Sequence, residues 1–132
     1  MNTVDALVQL SFQVQRVLAE AAAEHDLSIV QLRLLGILRD RQPGMLELGQ
    51  HLGLDKSSIT GLVSRAEKRG LVERSPSPHD GRGVLVTLTP VGRRLVEVGE
   101  AQINRRITQL TKTLNATQRK QFTHLATVLV ER

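Results

Sequence analysis

The chain contains 132 residues, a length that fits a single domain. Hydrophobic residues make up 40% of the sequence and charged residues 23%, so an intrinsically disordered chain is not expected. Cysteine is absent, which excludes disulfides, thiolate chemistry and cysteine-based metal sites. No apolar run reaches the roughly 18 residues that a membrane span needs, and no basic segment typical of a secretion signal precedes the first helix. We therefore expect a soluble, cytoplasmic protein without a membrane partner.

The net charge of +5 is unevenly distributed along the chain. Residues 1–40 contain three arginines and five acids, whereas residues 41–132 contain fifteen bases and eight acids. A positive charge concentrated in one part of a small domain fits a polyanionic partner, although a merely soluble basic surface would give the same balance. The only aromatic residues are Phe12 and Phe122, too few for the base stacking typical of single-strand binding. Duplex DNA is therefore the favoured nucleic-acid partner.

Two helices are predicted at the start of the chain. From Val4 to about Glu24, apolar residues recur at spacings of three and four without an intervening Pro or Gly, which predicts one long amphipathic helix. Ser28 and Gln31 have the spacing of a capping box and predict the start of a second helix. The segment Arg-Gln-Pro-Gly at 41–44 ends this second helix.

Two shorter helices follow, joined by a tight turn. Residues 45–52 are predicted as a helix that ends at Gly53, and Asp55 is a suitable N-cap for a helix that begins at Lys56. Two helices joined by so short a turn have the spacing of a helix-turn-helix, a motif that also occurs in proteins that do not bind DNA.

A β-hairpin is predicted directly after the helix-turn-helix. Residues 71–74 and 84–88 alternate between apolar and polar side chains, and the turn-rich loop 75–83 separates them. A hairpin with a long, basic-tipped loop at this point of the chain is typical of a wing.

Two further helices complete the predicted elements. Thr89 caps the first of them, which has Pro90 at its first position and runs to about Leu114, and Asn115 begins the last. Because the first and last helices of the chain are both strongly apolar, we expect them to pack against a second copy of the chain; packing within one chain is the alternative. The candidate dimerisation residues are Val4, Leu7, Val8, Leu125, Val128 and Leu129.

Four segments together resemble the MarR family of bacterial transcription regulators: Leu54-Asp-Lys-Ser-Ser-Ile-Thr60, Arg69-Gly-Leu-Val-Glu-Arg74, Asp80-Gly-Arg82 and Leu88-Thr-Pro-Val-Gly92. The resemblance covers nearly the whole chain. It implies an α+β, mainly α, winged helix-turn-helix fold in a single winged-helix chain, with a DNA-binding lobe at about 28–90 and dimerisation helices at 1–27 and 91–132. It also implies a homodimer that binds a pseudo-palindromic operator, usually as a repressor relieved by a small ligand.

The sequence departs from the family pattern in three ways. Gly61 stands where many relatives have an arginine after the threonine, so we expect reduced base readout there. Gly81 replaces the usual first arginine of the wing motif. The absence of cysteine excludes the oxidation-sensing branch of the family.

The second helix of the helix-turn-helix carries the first group of predicted DNA contacts. Ser57, Thr60 and Ser64 have short side chains that let a helix enter the major groove closely, and we expect them to approach base edges. We expect Lys56 and Ser58 to hold phosphates, because the N-terminus of a helix is its positive end. A solvated polar face is the alternative. The DNA-binding candidates on this helix are Lys56, Ser57, Ser58, Thr60, Ser64 and Arg65.

The wing carries the second group. Arg82 lies at the tip between two glycines, and the resemblance implies that it enters the minor groove, with Asp80 orienting its guanidinium. A surface Asp–Arg pair is the alternative. Arg74, at the base of the wing, fits a phosphate clamp, although a pair with Glu73 or Glu67 would also explain it.

Other classes of function find little support. The sequence contains no nucleophile elbow, P-loop or dinucleotide-binding motif, and its four histidines lie far apart without the helical pairing of a zinc site. We therefore predict no enzyme activity, no metal and no cofactor. The alternative to a DNA-binding regulator is a winged-helix protein–protein interaction module whose basic face binds an acidic partner.

A small-molecule effector follows from the resemblance alone. Members of the family bind small, often aromatic or phenolic anions between the dimerisation helices and the DNA-binding lobe. Phe12, Arg16 and His25, in or next to the first helix, are the candidate ligand-binding residues.

Overall fold

The computed structural model describes residues 1–79 and 83–132. These residues form a mainly helical chain with one small antiparallel sheet, so the predicted fold class is confirmed. The elements in chain order are α1 (Thr3–Ala23), α2 (Ile29–Leu38), α3 (Met45–Leu52), α4 (Lys56–Lys68), β1 (Val72–Pro76), β2 (Val84–Leu88), α5 (Pro90–Leu110) and α6 (Ala116–Val130).

Side-chain caps determine where the helices begin. The Ser28 hydroxyl accepts a hydrogen bond from the Gln31 amide, and the Gln31 side chain accepts one from the Ser28 amide, which completes the predicted capping box. Thr89 caps α5 in the same way, with its Oγ1 accepting from the amide of Gly92 at 3.0 Å. Asn115 caps α6. All these predicted helix starts are confirmed.

Two glycines end the helices of the helix-turn-helix. Gly53 and Gly70 have φ angles of +67° and +74°, the left-handed region in which glycine is not strained. After Gly70 the amide of Leu71 donates to the carbonyl of Ala66 at 3.0 Å, which closes the last turn of α4.

The end of α5 differs from the prediction. The helix ends at Leu110 and not near Leu114. The Oγ1 of Thr111 donates to the carbonyl of Thr108 at 2.9 Å, and such local side-chain bonds compete with continuation of the helix. The sequence does not indicate this end, because the apolar pattern continues to Leu114.

The hairpin is attached to the segment that precedes α3. The strands pair antiparallel, with Val72 opposite Leu88. The amide of Val86 also donates to the carbonyl of Pro43 at 3.1 Å, on the far side of β2. The base of the hairpin therefore has a fixed position relative to α3 and α4.

The core is aliphatic and lies among α2, α3, α4 and the hairpin. Its most fully buried side chains are Leu34, Leu35, Leu38, Leu48, Val63, Val72 and Val86. In contrast, α6, every residue of which is described, has no buried side chain. The candidate dimerisation residues of α1 and α6 are between 46% and 68% exposed in the single chain.

A polar network joins the end of α1 to α5. The carboxylate of Glu24 accepts hydrogen bonds from Gln102, at 2.9 Å, and from Arg106, and the bond from Arg106 lowers the pKa of Glu24. The Nε2–H of His25 donates to Oε1 of the same Gln102 at 2.9 Å. The turn between α1 and α2 is therefore held against α5.

Candidate nucleic-acid interface

The polar side of α4 faces outwards because its apolar stripe lies in the core. Ile59, Leu62, Val63 and Ala66 are buried. The exposed side chains on the opposite side are Lys56, Ser57, Ser58, Thr60 and Arg65, which we call the outer face of α4. This helix is thus divided into an inner apolar and an outer polar side.

Asp55 fixes the first turn of α4. Its Oδ1 accepts a hydrogen bond from the amide of Ser58 at 2.7 Å. Hydrogen bonds from Ser58 stabilise the charged carboxylate and lower the pKa of Asp55. Because the Ser58 amide donates to Asp55, this amide is not available to a phosphate.

The lowered pKa of Asp55 predicts a pH dependence of stability. The charged cap stabilises the folded chain above the ordinary carboxyl pKa, and this contribution is lost as the pH falls through that value towards the lower folded pKa. Asp55→Asn keeps the cap hydrogen bond without the titrating group. We therefore expect the Tm of the wild type to fall more steeply than the Tm of the variant when the pH is lowered below about 4. Parallel curves for the two proteins would contradict this assignment.

Two of the three hydroxyls predicted to approach bases are bonded within the protein. The Oγ1 of Thr60 donates to the carbonyl of Lys56 at 2.7 Å, which uses the hydroxyl proton and leaves the oxygen able to accept a hydrogen bond. The half-buried Ser64 accepts from Arg74 at 2.5 Å. Ser57 is exposed, and its hydroxyl has no partner in the part of the chain that the structure describes.

Arg74 pairs with α4. Its Nε lies 3.7 Å from a carboxylate oxygen of Glu67, in addition to the bond with Ser64. No bond to Glu73 occurs within the described residues. The structure thus contains the predicted pair with Glu67, and the phosphate contact of Arg74 remains a prediction. This pair holds β1 against α4, and Arg74 also lines a cleft of about 670 Å³ between α3 and α4.

The tip of the wing lies outside the described residues, which include neither Asp80 nor Arg82. The strands that lead to the tip are described, and the amide of Ser77 donates to the carbonyl of Gly83 at 2.9 Å. The roles of Arg82 and Asp80 therefore remain predictions.

The candidate ligand residues do not lie in one cavity. A cavity of about 80 Å³ between α2 and α5 is lined by His25 but not by Phe12 or Arg16. Phe12 and Arg16 are exposed and lie one turn apart on α1, whereas His25 follows the end of that helix.

Arg69 makes structural contacts that the sequence did not reveal. Its two terminal guanidinium nitrogens donate to the carbonyls of His25 and Asp26, each at 2.9 Å. These partners precede Arg69 by more than forty residues, so no local pattern could indicate them. Through this contact the end of α4 is joined to the turn that the polar network holds against α5.

The described ranges contain neither a membrane span nor a cluster of metal ligands. None of the helices there combines the length and the apolar character required to span a membrane. Within residues 1–79 and 83–132, no three histidine, aspartate or glutamate side chains lie close enough to share a metal ion.

Comparison with known proteins gives consistent matches. Residues 25–83 match a family model described as the MarR family. The transcriptional repressor NicR of Pseudomonas putida is 32% identical over 114 residues, which cover 85% of this chain and 72% of that protein. The multiple antibiotic resistance protein MarR of Escherichia coli is 34% identical over 103 residues, which cover 76% of this chain and 72% of that protein.

A solved structure shows the same fold with DNA. A crystal structure of a mutant MarR from E. coli complexed with operator DNA superposes with a TM-score of 0.78 and 28% sequence identity. The superposition covers 95% of this chain and 91% of that chain. The described fold is therefore one that, in a similar protein, binds operator DNA.

Proposed function

Because this chain belongs to the MarR family of transcription regulators, we propose that it binds double-stranded DNA in a sequence-specific manner as a homodimeric repressor. Its operator is pseudo-palindromic, and a small ligand relieves repression. It works in the cytoplasm and is not an enzyme.

The outer face of α4 carries the proposal. Its side chains are polar or basic, and its N-terminus, the positive end of the helix dipole, is capped at Asp55. The buried stripe of α4 and the Arg74–Glu67 pair hold the helix and the hairpin in one rigid arrangement. Such a helix fits the major groove, which is about 12 Å wide, while the adjacent wing reaches the neighbouring minor groove.

The apolar faces of α1 and α6 support the homodimer. Phe122, Leu125 and Leu129 recur at helical spacing on α6, and each is at least 44% exposed in the single chain. Large contiguous apolar patches on a soluble chain mark interaction sites. A twofold dimer places two α4 helices about 34 Å apart, one turn of the duplex, so the operator repeats the symmetry of the protein.

Relief by a ligand requires a difference in affinity between two arrangements of the dimer. To move the population from 99:1 to 1:99, the ligand must favour the DNA-incompetent arrangement by about 5.5 kcal/mol. By resemblance to the family, the ligand class is a small aromatic or phenolic anion, and Phe12, Arg16 and His25 are its candidate contacts. The domain division at about 28–90 belongs to the same proposal.

The experiment that tests DNA binding is a salt titration on two duplexes. One duplex carries a sequence selected by the protein from a random pool, and the other is a random sequence of equal length. We expect log K to fall with log salt at a slope of about −0.9 per phosphate contact on both, with tighter binding to the selected duplex. Equal affinity for the two duplexes would favour the protein–protein interaction module.

Arg82→Ala tests the wing. We expect this change to weaken binding to A·T-flanked sites by roughly 1–3 kcal/mol, because the narrow minor groove of such sites attracts an inserted arginine. Equilibrium titration of duplexes with A·T-rich and G·C-rich flanks measures the effect, and the G·C-rich flank is the control. Asp80→Asn should have a smaller effect in the same direction. Unchanged affinity of Arg82→Ala would remove Arg82 from the interface.

A further inference from the structure

Gly61 leaves a space on the outer face of α4 that the side chain of Arg65 occupies. A Cβ atom added at Gly61 would lie 3.2 Å from Nη1 of Arg65 and 4.0 Å from its Cζ. The guanidinium is therefore folded back over Gly61, one turn closer to the start of the helix. Side chains on a helix tilt towards its N-terminus, and because Gly61 has no side chain, the Arg65 guanidinium can lie close to the backbone.

The surroundings of this guanidinium are open and polar. Arg65 and Gly61 line a cleft of about 590 Å³ together with Ser57, Ser58 and the N-terminal residues of α2. Arg65 is exposed. Among residues 1–79 and 83–132, no acceptor takes a hydrogen bond from its guanidinium, so its donors are available to a ligand in the cleft.

The fold-back changes which part of the DNA Arg65 reaches. Recognition helices contact base edges mainly through their N-terminal residues. Arg65 lies in the C-terminal half of α4, from which an outstretched side chain meets the rim of the groove. Folding over Gly61 moves the guanidinium by about one helical turn, roughly 5 Å, towards Ser57 and the part of the helix that meets the bases.

We propose that Arg65 is a specificity-determining residue that reads one guanine in each half-site, from the space left by Gly61. This inference rests on the proposed function. The planar fork of arginine donates two hydrogen bonds to O6 and N7 of guanine, the acceptor pair that guanine presents in the major groove. The sequence alone predicts that Gly61 reduces base readout, whereas in this proposal Arg65 replaces the side chain that Gly61 lacks.

The test begins with a duplex selected by the wild-type dimer from a random pool. Each guanine of the selected half-site is replaced in turn by another base or by 7-deazaguanine, which lacks the N7 acceptor. At one guanine per half-site we expect replacement of the base to weaken wild-type binding by about 10- to 100-fold, with a smaller loss for 7-deazaguanine. For Arg65→Ala, neither replacement at that guanine should weaken binding further.

Three variants separate guanine recognition by Arg65 from the effect of its positive charge. Arg65→Lys keeps the charge without the fork, so it should keep the salt dependence and lose most of the guanine preference. Gly61→Leu keeps Arg65 but covers the space beneath its guanidinium, so it should lose the same preference. Lys68→Ala, the control, removes one charge from the same helix outside the cleft and should keep the preference.

Two results would overturn the inference in distinguishable ways. If Arg65→Ala weakens binding equally on all sequences and lowers the salt slope by about one phosphate contact, Arg65 binds the backbone, and the proposed function stands without this inference. If the wild type enriches no sequence from the random pool, the proposed function fails, and the inference fails with it.

Discussion

Replacing Leu125 and Leu129 with glutamate should convert the protein into a folded monomer without specific affinity for DNA. Both side chains lie on the exposed apolar face of α6, where they are 62% and 55% exposed in the single chain. In a dimer, burial of two unpaired carboxylates in this face would cost far more than the interface can offset. The core among α2, α3, α4 and the hairpin contains no residue of α6, so folding of one chain should survive.

The expected loss of DNA affinity is large because both half-sites must be bound together. A single α4 retains only the phosphate contacts of one half-site, and specific binding typically exceeds non-specific binding by about 10³-fold or more. We therefore expect the double variant to sediment at the mass of one chain and to bind the selected duplex at least about 10³-fold more weakly. Circular dichroism checks that its helices remain.

Thr127→Glu is the matched control for this variant. It adds a carboxylate to the same helix at a position two residues from both leucines, and residues two apart on a helix do not share a face. This variant should remain a dimer and bind DNA nearly as the wild type does. A double leucine variant that remained dimeric, or that bound the selected duplex as a tight monomer, would contradict the assignment of this face.

Gly92→Ala should destabilise the fold by about 1–3 kcal/mol, although alanine is normally the better helix former. A Cβ at Gly92 would lie 2.0 Å from the carbonyl oxygen of Leu71 and 2.9 Å from its carbonyl carbon, distances that no side-chain rotation can relieve. That carbonyl also accepts a hydrogen bond from the amide of Thr89 at 3.1 Å. The methyl group therefore displaces either the start of α5 or this hydrogen bond.

A second glycine of α5 provides the control. A Cβ at Gly99 would meet no atom within 4 Å, and Gly99 lines the small apolar cavity between α2 and α5. Gly99→Ala should therefore stabilise the chain by about 0.5–1 kcal/mol. Urea unfolding followed by circular dichroism measures both changes. Equal effects of the two substitutions would show that contact with Leu71 is not what selects glycine at Gly92.

Local chemistry made much of the fold predictable from the sequence. Ser28, Asp55 and Thr89 mark helix starts because each side chain bonds a backbone amide only three residues away. Gly53 marks a helix end because few other residues adopt a positive φ without strain. Signals confined to a few neighbouring residues can be read without knowledge of the tertiary structure.

The contacts within the site were less predictable because they depend on packing between distant segments. Arg74 bonds Ser64 and lies near Glu67 because the hairpin folds onto α4, and the sequence left its partner open. The position of the Arg65 guanidinium depends on the space at Gly61. Comparison with the family motif shows only that Gly61 stands where many relatives have an arginine. The contacts of Arg74 and of Arg65 therefore depend on the direction of each side chain, which the residue type alone does not reveal.

The most direct test of the account is the stoichiometry and symmetry of the complex with DNA. Fragments selected by the purified protein from random duplexes would be sequenced, and the mass of the complex with one selected duplex would be measured by sedimentation. We expect an inverted repeat whose half-site centres lie about 10 base pairs apart, bound by two chains. A single chain on the selected duplex, or a selected pool without an inverted repeat, would contradict the account.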